Sequence, residues 1–410
     1  MGVLVLLAIL FFLNEQIFKR IASKNPKASI SLLRKIFLYH LALTGLYFAY
    51  AAFSPTDSKH YFNVLNFLDI SWGETITMTN WGVFFIEYPF LKYLGFDYQM
   101  SMFLFSWFGY IGFVYAYLFF TENIKEKVIV FGKYDLLKVL LFLPNMHFWS
   151  ASLGKGSVIF MGIMMFIYAV QSPKKRIVTL LLGAIFIYSI RAHVMFFMIV
   201  GVMFGIFFGG NQKLSRGTKF LLILSGAVFI YLASSSILAV VNLEKSENLV
   251  SDFSEFASIR SEGLSENAGS GVDMSSYSLP FKLFTFWFRP LFVDIPNALG
   301  FFSSLENLLY LLLFLKVCNK SFLRFIRRAP SVVKMSAMVF LLTSFAMTFV
   351  MSNLGIIMRQ KSQVMYFAFF VIYYYLADKK IRDRKYWQSI NADKSQEAYE
   401  EQNKEFLRFK

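Results

Sequence analysis

Residues 144–156, PNMHFWSASLGKG, form a polar segment with two glycines, where we expect the chain to reverse direction. It lies between the apolar runs Val139 to Leu143 and Val158 to Val170. A polar turn between apolar runs is typical of a helical membrane protein whose chain turns back near a membrane surface. We therefore expect this turn to lie at the mouth of a membrane-embedded cavity, and the loops around it decide which face that is.

The composition excludes a soluble domain. Of the 410 residues, 57% are hydrophobic, 51 are Phe, and 16% are charged. Such a chain is predicted to be an all-α, polytopic transmembrane protein. The net charge of +16 comes from Lys and Arg between apolar runs. This placement is typical of topology control and argues against a nucleic-acid partner. The single cysteine, Cys318, excludes an intramolecular disulfide.

Basic loops set the predicted topology. Residues Gly2 to Phe18 are predicted to form a first span, and the loop Lys19 to Lys35 behind it is basic, as are later loops on the same predicted side. The positive-inside rule then gives about eleven spans, with the N-terminus outside and the C-terminus inside. We predict one integral membrane domain at residues 1–380 and a charged cytoplasmic tail at 381–410. Outer loops are expected at about 54–100, with interfacial helices, and at about 244–280.

Several cations fall on the predicted outer face, against the inside bias, near the outer ends of spans. Charge near membrane depth needs a partner or a water-filled cavity, so a convergent set indicates an anionic ligand. For each residue alone, a snorkelling anchor or a structural ion pair is the competing interpretation. The segment Phe281 to Gly300 is expected to be a broken or re-entrant helix in which Asp294 could simply neutralise Arg289. The outer cations are Lys59, Lys155, Arg191, Arg289, Arg359 and Lys361.

The candidate general base is Asp57, which follows the second predicted span. Its competing interpretations are a helix N-cap or a pair with Lys59. Glu87, in the same loop, is expected to be solvated or interfacial. His40 is expected near the inner end of its span in a structural role, whereas the other histidines, His60, His147 and His193, are expected outside.

Two binding motifs are excluded. No spacing of the His-Glu-x-x-His kind occurs, so we predict no metal. The Gly-Lys-Gly of residues 154–156 does not match a nucleotide-binding loop, because Trp149 occupies the position of the first glycine and Gly156 follows Lys155. A turn that opens a helix near Ser157 can still offer N–H groups to an anion.

Three stretches resemble the extracytoplasmic motifs of Wzy/EpsG-type bacterial oligosaccharide repeat-unit polymerases. Asp57 followed by Tyr61 is similar to the acid-bearing first outer loop of the wider GT-C class of glycosyltransferases. The resemblance covers most of the chain in layout and some thirty residues in motif. The three stretches are Pro144 to Gly156, Phe288-Arg289-Pro290 leading through Asn297 to Glu306-Asn307, and Asn353-Leu354-Gly355 leading to Arg359-Gln360-Lys361.

The resemblance implies a GT-C-like glycosyl transfer at the outer leaflet of the bacterial inner membrane. A glycan on undecaprenyl pyrophosphate would pass to the hydroxyl of another lipid-linked unit, without cofactor or metal. Asp57 or His147 would act as base or orient the acceptor. Other polysaccharide-assembly proteins are further candidate partners beside the lipid bilayer. The expected substrate-binding residues are Lys155, Arg191, His193, Arg289, Arg359 and Lys361.

Two other functions stay open at this point. A GT-C enzyme that transfers one sugar from a polyprenyl-phosphate donor would depend mainly on Asp57, since only one phosphate needs cations. A transporter of lipid-linked glycans is expected to show inverted repeats or polar residues at mid-membrane depth. The polar residues of this chain instead gather at the predicted outer ends of spans.

Overall fold

The computed structural model describes residues 2–26, 28–210, 214–239, 248–266, 271–272, 274, 277–294 and 298–408. It is mostly helical, at 82%, which confirms the predicted all-α class. The first half contains α1 (Gly2–Lys24), α2 (Ile30–Phe53), α3 (Asp57–Phe67), α4 (Trp81–Tyr88), α5 (Tyr98–Asn123), α6 (Leu136–Leu141), α7 (Pro144–Ser150), α8 (Lys155–Ala169) and α9 (Ile177–Ile190). The second half contains α10 (Ala192–Phe208), α11 (Arg216–Ala239), α12 (Leu249–Glu266), α13 (Leu279–Phe288), α14 (Ala298–Leu315), α15 (Lys320–Arg328), α16 (Ser331–Val350) and α17 (Leu354–Arg408).

Short elements connect the helices. A hairpin of β1 (Ile129–Val130) and β2 (Tyr134–Asp135) follows α5, with Val130 opposite Tyr134. A π-helical turn at Pro89–Tyr93 extends α4. Single 3₁₀ turns precede three helices: Gly73–Thr77 before α4, Pro173–Lys175 before α9 and Phe292–Asp294 before α14.

Among the described residues, five helices are long and apolar enough to cross a membrane, namely α1, α2, α5, α11 and α16. The pair α14 and α15, bent by 81°, would make a sixth. Helices α8, α9 and α10 are apolar but only 15, 14 and 17 residues long. A polytopic membrane protein is therefore supported, whereas the predicted eleven spans are not confirmed.

Helix α5 lies at the centre of the bundle, and 78% of its apolar 18-residue stretch is buried. It packs against α1, α2, α7 and α8. Close contact with α7 requires Gly109, because a Cβ there would stand 2.1 Å from the carbonyl oxygen of Ser150. Helices α8 and α9 also touch through small residues, since a Cβ on Gly183 would lie 2.9 Å from the carbonyl oxygen of Gly162. Small residues at helix contacts are typical of membrane bundles.

The predicted interruption of the segment from Phe281 to Gly300 is confirmed. Helix α13 ends at Phe288, and the chain passes through a cis Arg289–Pro290 bond and a 3₁₀ turn before α14 begins. Residues 295–297 of this segment lie outside the described residues. The backbone therefore leaves the helical path at Arg289-Pro290, where the sequence places a charge and a proline.

Both predicted outer loops contain helices. In the first, α3 packs on α4 and α5, and α4 packs on the C-terminal part of α9. In the second, α12 packs against α16. Whether α3 and α4 lie in a membrane interface stays a prediction.

The basic loops gather at one end of the bundle. Arg176, before α9, bonds Glu122 at the end of α5 at 2.8 Å. Glu126 in turn pairs with Lys380 and Arg384 of α17, at 2.9 and 2.6 Å. The first residues of α3 and α8 and the first turns of α17 lie together at the other end, with Trp149 of the 144–156 segment beside them.

Gly109→Ala is predicted to lower the thermal unfolding temperature of the protein in detergent or nanodiscs. The new Cβ would overlap the Ser150 carbonyl, and overpacking of this kind costs about 1–3 kcal/mol. Gly45→Ala is the matched control, because Gly45 is also inside a helix and a Cβ added there would meet no atom within 4 Å. Both substitutions gain helix propensity, so equal melting temperatures would contradict the close α5–α7 contact.

Candidate functional site

Asp57 is the first residue of α3 and forms an ion pair with Arg359 of α17. The Nη1 atom of Arg359 donates to Oδ2 of Asp57 at 2.6 Å. The guanidinium group also lies 6.0 Å from the ring centroid of Trp149, in the 144–156 turn. This contact set joins the first predicted outer loop, the 144–156 turn and the start of the last helix.

Arg191 lies in the break between α9 and α10, with φ −152° and ψ 87°. Its guanidinium donates to the side-chain oxygen of Gln360, the neighbour of Arg359. The charges of Arg359 and Asp57 both act on Arg191. The tight turn at residues 190–193 therefore points its arginine toward the Asp57–Arg359 pair.

Lys155 is the first residue of α8, and it follows Gly154 at φ 147°. That φ lies in the region that strongly favours glycine, and a Cβ on Gly154 would also meet the Tyr61 ring at 3.3 Å. The charges of Arg191, Arg359 and Asp57 act on Lys155, as does that of Arg260 in α12. The helix predicted to open near Ser157 begins two residues earlier.

We call Asp57, Lys155, Arg191 and Arg359 the cationic cluster. Its three cations and one carboxylate leave a formal charge of +3 − 1 = +2. The side chains of Asp57 and Arg359 are 49% and 23% exposed, so the cluster is open to solvent on one side. Such an excess of half-buried positive charge favours binding of an anion.

The carboxyl of Asp57 stays ionised at neutral pH. Burial acts to raise its pKa, but the charge and hydrogen bond of Arg359, with a contribution from Lys155, outweigh it and lower the pKa. A carboxylate held in this way is a weak base until its arginine partner is drawn away. An anion that competes for Arg359 would release Asp57 and make it available to accept a proton.

Arg289 does not join the cationic cluster in this structure. Its Nε and Nη2 atoms donate to Asp294 at 3.0 and 2.5 Å. This bond is the main cause that raises the pKa of Arg289. The expectation that Asp294 neutralises Arg289 is confirmed, and the expected binding of substrate by Arg289 stays a prediction.

Lys361, which was expected near the outer end of a span, is fully buried inside the protein. Its Nζ atom donates to the carbonyl oxygen of Arg289 at 2.7 Å and lies 3.4 Å from that of Trp287. The carbonyls that the broken segment leaves unpaired thus receive a donor from α17. Lys361 stabilises the break instead of facing a substrate.

Glu306 is a buried acid whose importance the residue pattern alone did not reveal. It accepts a hydrogen bond from the backbone N–H of Asn145 at 2.9 Å and another from the Tyr310 hydroxyl. The charge of Lys361 acts on it. The sequence signal that could have identified Glu306 is its position as an acid in the middle of an apolar helix, because such a residue needs a partner inside the protein.

The placement of His147 outside and the placement of His40 near the inner end cannot both be correct. Their Nδ1 atoms lie 2.8 Å apart, so the two residues are at the same depth. The Nε2 atom of His147 bonds the Leu141 carbonyl at 2.8 Å, and its ring stacks on Phe113 at 3.7 Å. His147 is fully buried, so the geometry gives no support to the expected role in catalysis.

His193 lies in the first turn of α10, two residues after Arg191, whose charge acts on it. Its Nδ1 atom is buried and has no hydrogen-bond partner among the described residues. His193 therefore lies beside the cationic cluster, and its Nδ1 atom makes no hydrogen bond to the described residues. Its expected contact with substrate stays a prediction.

Within the described ranges, no three His, Cys, Asp or Glu side chains come together in a way that could hold a metal ion. Comparison with protein-family models, with curated proteins and with solved structures found no match to this chain. The function must therefore be argued from the cationic cluster itself.

Lys361→Met is predicted to destabilise the protein. Removal of the ammonium leaves the Arg289 carbonyl without this donor and the buried Glu306 without a compensating charge, and a buried unsatisfied group costs about 1–3 kcal/mol. Lys379→Met, on the exposed part of the same helix, is the control. Thermal unfolding of both variants in the same detergent measures the effect. A Lys361→Met protein as stable as Lys379→Met would contradict the conclusion that Lys361 stabilises the broken segment.

Glu87 was expected to be solvated or interfacial, and this is also wrong, since it is fully buried. The Ser101 hydroxyl donates to one of its oxygens, and the other has no partner among the described residues. Burial raises the pKa of Glu87 from an ordinary 4.5 to about 8. At neutral pH the folded protein thus holds a proton that the unfolded chain releases.

The stability of the protein is therefore predicted to fall as pH rises from about 4.5 to about 8, because only the unfolded chain gives up the Glu87 proton in that range. Glu87→Gln should flatten this slope. Glu74→Gln, an exposed acid of the same loop whose pKa the Ser71 hydrogen bonds lower, should leave it unchanged. Melting temperatures at several pH values test this, and an unchanged slope in Glu87→Gln would contradict it.

Proposed function

We propose that the protein polymerises undecaprenyl-pyrophosphate-linked oligosaccharide repeat units at the outer leaflet of the bacterial inner membrane, in exopolysaccharide, capsule or O-antigen synthesis. The observation that carries the proposal is the convergence of Lys155, Arg191 and Arg359 on the single carboxylate of Asp57. These residues come from four distant segments of the chain, so the fold is what assembles them.

The charge of the cationic cluster matches a diphosphate. One carboxylate leaves +2 uncompensated, and a diphosphate ester that enters the cluster supplies at least that negative charge. Arginine offers a planar fork to phosphate oxygens, and Lys155 adds a point charge at the start of α8, where the helix dipole also favours an anion. The backbone N–H groups of this helix start are further donors.

The proposed reaction is a substitution at the anomeric carbon of the donor glycan. The bond from this carbon to the pyrophosphate oxygen breaks, and a bond to the acceptor hydroxyl oxygen forms. The acceptor proton goes to Asp57, which the incoming diphosphate has freed from Arg359. Negative charge grows on the leaving pyrophosphate, where preorganised cations stabilise it without reorganisation. The acceptor is itself a lipid-linked unit, so the product stays bound to undecaprenyl pyrophosphate.

This proposal includes the finer topology. A GT-C-like arrangement with about eleven spans would need α17 and the shorter helices α8, α9 and α10 to cross as well. The gathering of basic loops at the end of the bundle opposite Asp57 favours a cationic cluster on the extracytoplasmic face. The N-terminus would then be extracytoplasmic and the tail cytoplasmic.

Single-sugar transfer from a polyprenyl-phosphate donor is the second candidate. It is favoured by the half-exposed Asp57, whose bond to Arg359 already provides one acid and one cation, enough for a monophosphate. The additional convergence of Arg191 and Lys155 favours the diphosphate. A transporter of lipid-linked glycans ranks below both, because the cluster lies at one end of the bundle.

Arg191→Gln is predicted to lower polymer formation at least about tenfold, because a charged hydrogen bond to phosphate contributes about 1.5–3 kcal/mol. Cells with this variant as the only copy should accumulate lipid-linked single repeat units, seen by mass spectrometry of extracted lipids. Arg34→Gln, which breaks only the exposed ion pair with Glu15, is the control.

Both variants must reach the membrane at wild-type levels, as checked by immunoblot. Truncated repeat units that lack one sugar would overturn polymerisation in favour of single-sugar transfer. Complete units retained on the cytoplasmic leaflet would favour transport. Normal polymer in Arg191→Gln would remove the cationic cluster from the mechanism.

A further inference from the structure

A second positively charged site lies at the opposite end of the bundle, between α1 and α9. Helices α5 and α8 form its floor, and the cavity has a volume of about 550 Å³. We call it the basic groove. Its cations are Arg20, Lys24, Lys175 and Arg176, and its apolar wall contains Ile17, Ile21, Ile111, Val114 and Leu118.

One of the four cations is already committed to the protein. Arg176 lies over the Tyr168 ring at 3.7 Å and donates to the Tyr168 carbonyl at 2.8 Å. Its other nitrogen bonds both carboxylate oxygens of Glu122, at 2.8 and 2.9 Å. Among the described residues that line the groove, Glu122 is the only acid, and Arg176 neutralises it.

The other three cations have no such partner. No carboxylate of the described residues lies within ion-pair distance of Arg20, Lys24 or Lys175. Arg20 and Lys24 are one helical turn apart on α1, so they lie on the same face. Lys175 approaches from the loop before α9. The mouth of the groove thus carries three uncompensated positive charges.

The rest of the groove has the opposite character. Ile21, between Arg20 and Lys24, and Ile17, one turn before it, line the groove from α1, and Ile111 and Val114 line it from α5. Both helices are long and apolar enough to span a membrane. An apolar cleft along two spanning helices, closed at one end by cations, fits a molecule with an acyl chain and an anionic headgroup.

We propose that the basic groove binds an anionic phospholipid. Its phosphate bonds Arg20, Lys24 and Lys175, and one acyl chain lies along the isoleucines of α1 and the facing residues of α5. A soluble phosphate would leave the apolar wall in water, and a zwitterionic lipid would bring a cation of its own into the cationic mouth.

This site is separate from the cationic cluster. Lys155 and Arg191 stand at one end of α8 and α9, and Tyr168 and Arg176 at the other. At 1.5 Å per residue, the 14 residues of α9 separate Arg176 from Arg191 by about 21 Å. The phospholipid site therefore does not depend on the proposed polymerase activity and is tested without any glycan.

The test uses the full-length protein in detergent, with native mass spectrometry and thermal unfolding as readouts. The probes are phosphatidylglycerol, phosphatidylcholine and inorganic phosphate. The test variant is Arg20→Gln/Lys24→Gln/Lys175→Gln. The control is Lys320→Gln/Arg324→Gln/Lys379→Gln, which removes the same charge from exposed residues of α15 and α17.

Phosphatidylglycerol is expected to bind and stabilise the wild-type protein and the control variant. The test variant should bind it roughly fivefold more weakly for each lost cation, about 100-fold in total. Phosphatidylcholine and inorganic phosphate should have little effect on either protein.

An equal loss in the control variant would overturn the proposal in favour of general surface charge. Equal binding of phosphatidylcholine would reduce the groove to an apolar cleft. A matching stabilisation by inorganic phosphate would make it a site for a soluble anion. A test variant that melts at the wild-type temperature without lipid confirms that the substitutions act on binding and not on folding.

Discussion

A charge inside an apolar helical bundle must have a partner, and this constraint organises the molecule. Glu306 receives donors from Asn145 and Tyr310, and Lys361 donates to carbonyls of the broken segment. Arg289 is held by Asp294. Each of these groups is satisfied by the protein itself. The cationic cluster differs, because three cations share one carboxylate. An excess of one sign of charge, more than the presence of charge, distinguishes a candidate binding site from charges that only stabilise the fold.

The sequence was sufficient for features that depend on the order of residues along the chain. Apolar runs between basic loops indicated the helical membrane class, and Arg289-Pro290 with Asp294 marked the broken segment. The tight turn around Arg191 and the segment at 144–156 pointed to cations that the fold does bring near Asp57. These signals are local, because a proline or a charge acts on its own stretch of backbone.

Which side of each helix faces the protein interior could not be predicted from the sequence in the same way. A uniformly apolar helix has no polar stripe that tells its buried side from its lipid side, so the burial of Lys361 and Glu87 inside the protein was not foreseen. The predicted difference in depth between His40 and His147 was wrong for a related reason. Their positions were inferred from where apolar runs end, and α6 and α7 end short of the distance that a full span covers. Side-chain contacts, which only the fold reveals, place the two rings together.

The shortness of α8 and α9 has a consequence for the bilayer. Fifteen and fourteen residues reach about 21–23 Å, whereas the hydrocarbon layer is about 30 Å thick. Helix α8 is enclosed by protein, whereas α9 has an exposed face. If α9 crosses the membrane as proposed and both its ends meet headgroups, the lipid beside it must thin, at a cost of a fraction of a kcal/mol for each ångström of mismatch. In the proposed topology, lipid phosphates beside α9 would then lie several ångströms closer to the midplane, near the level of Arg191, so membrane thickness itself would become a variable of the site.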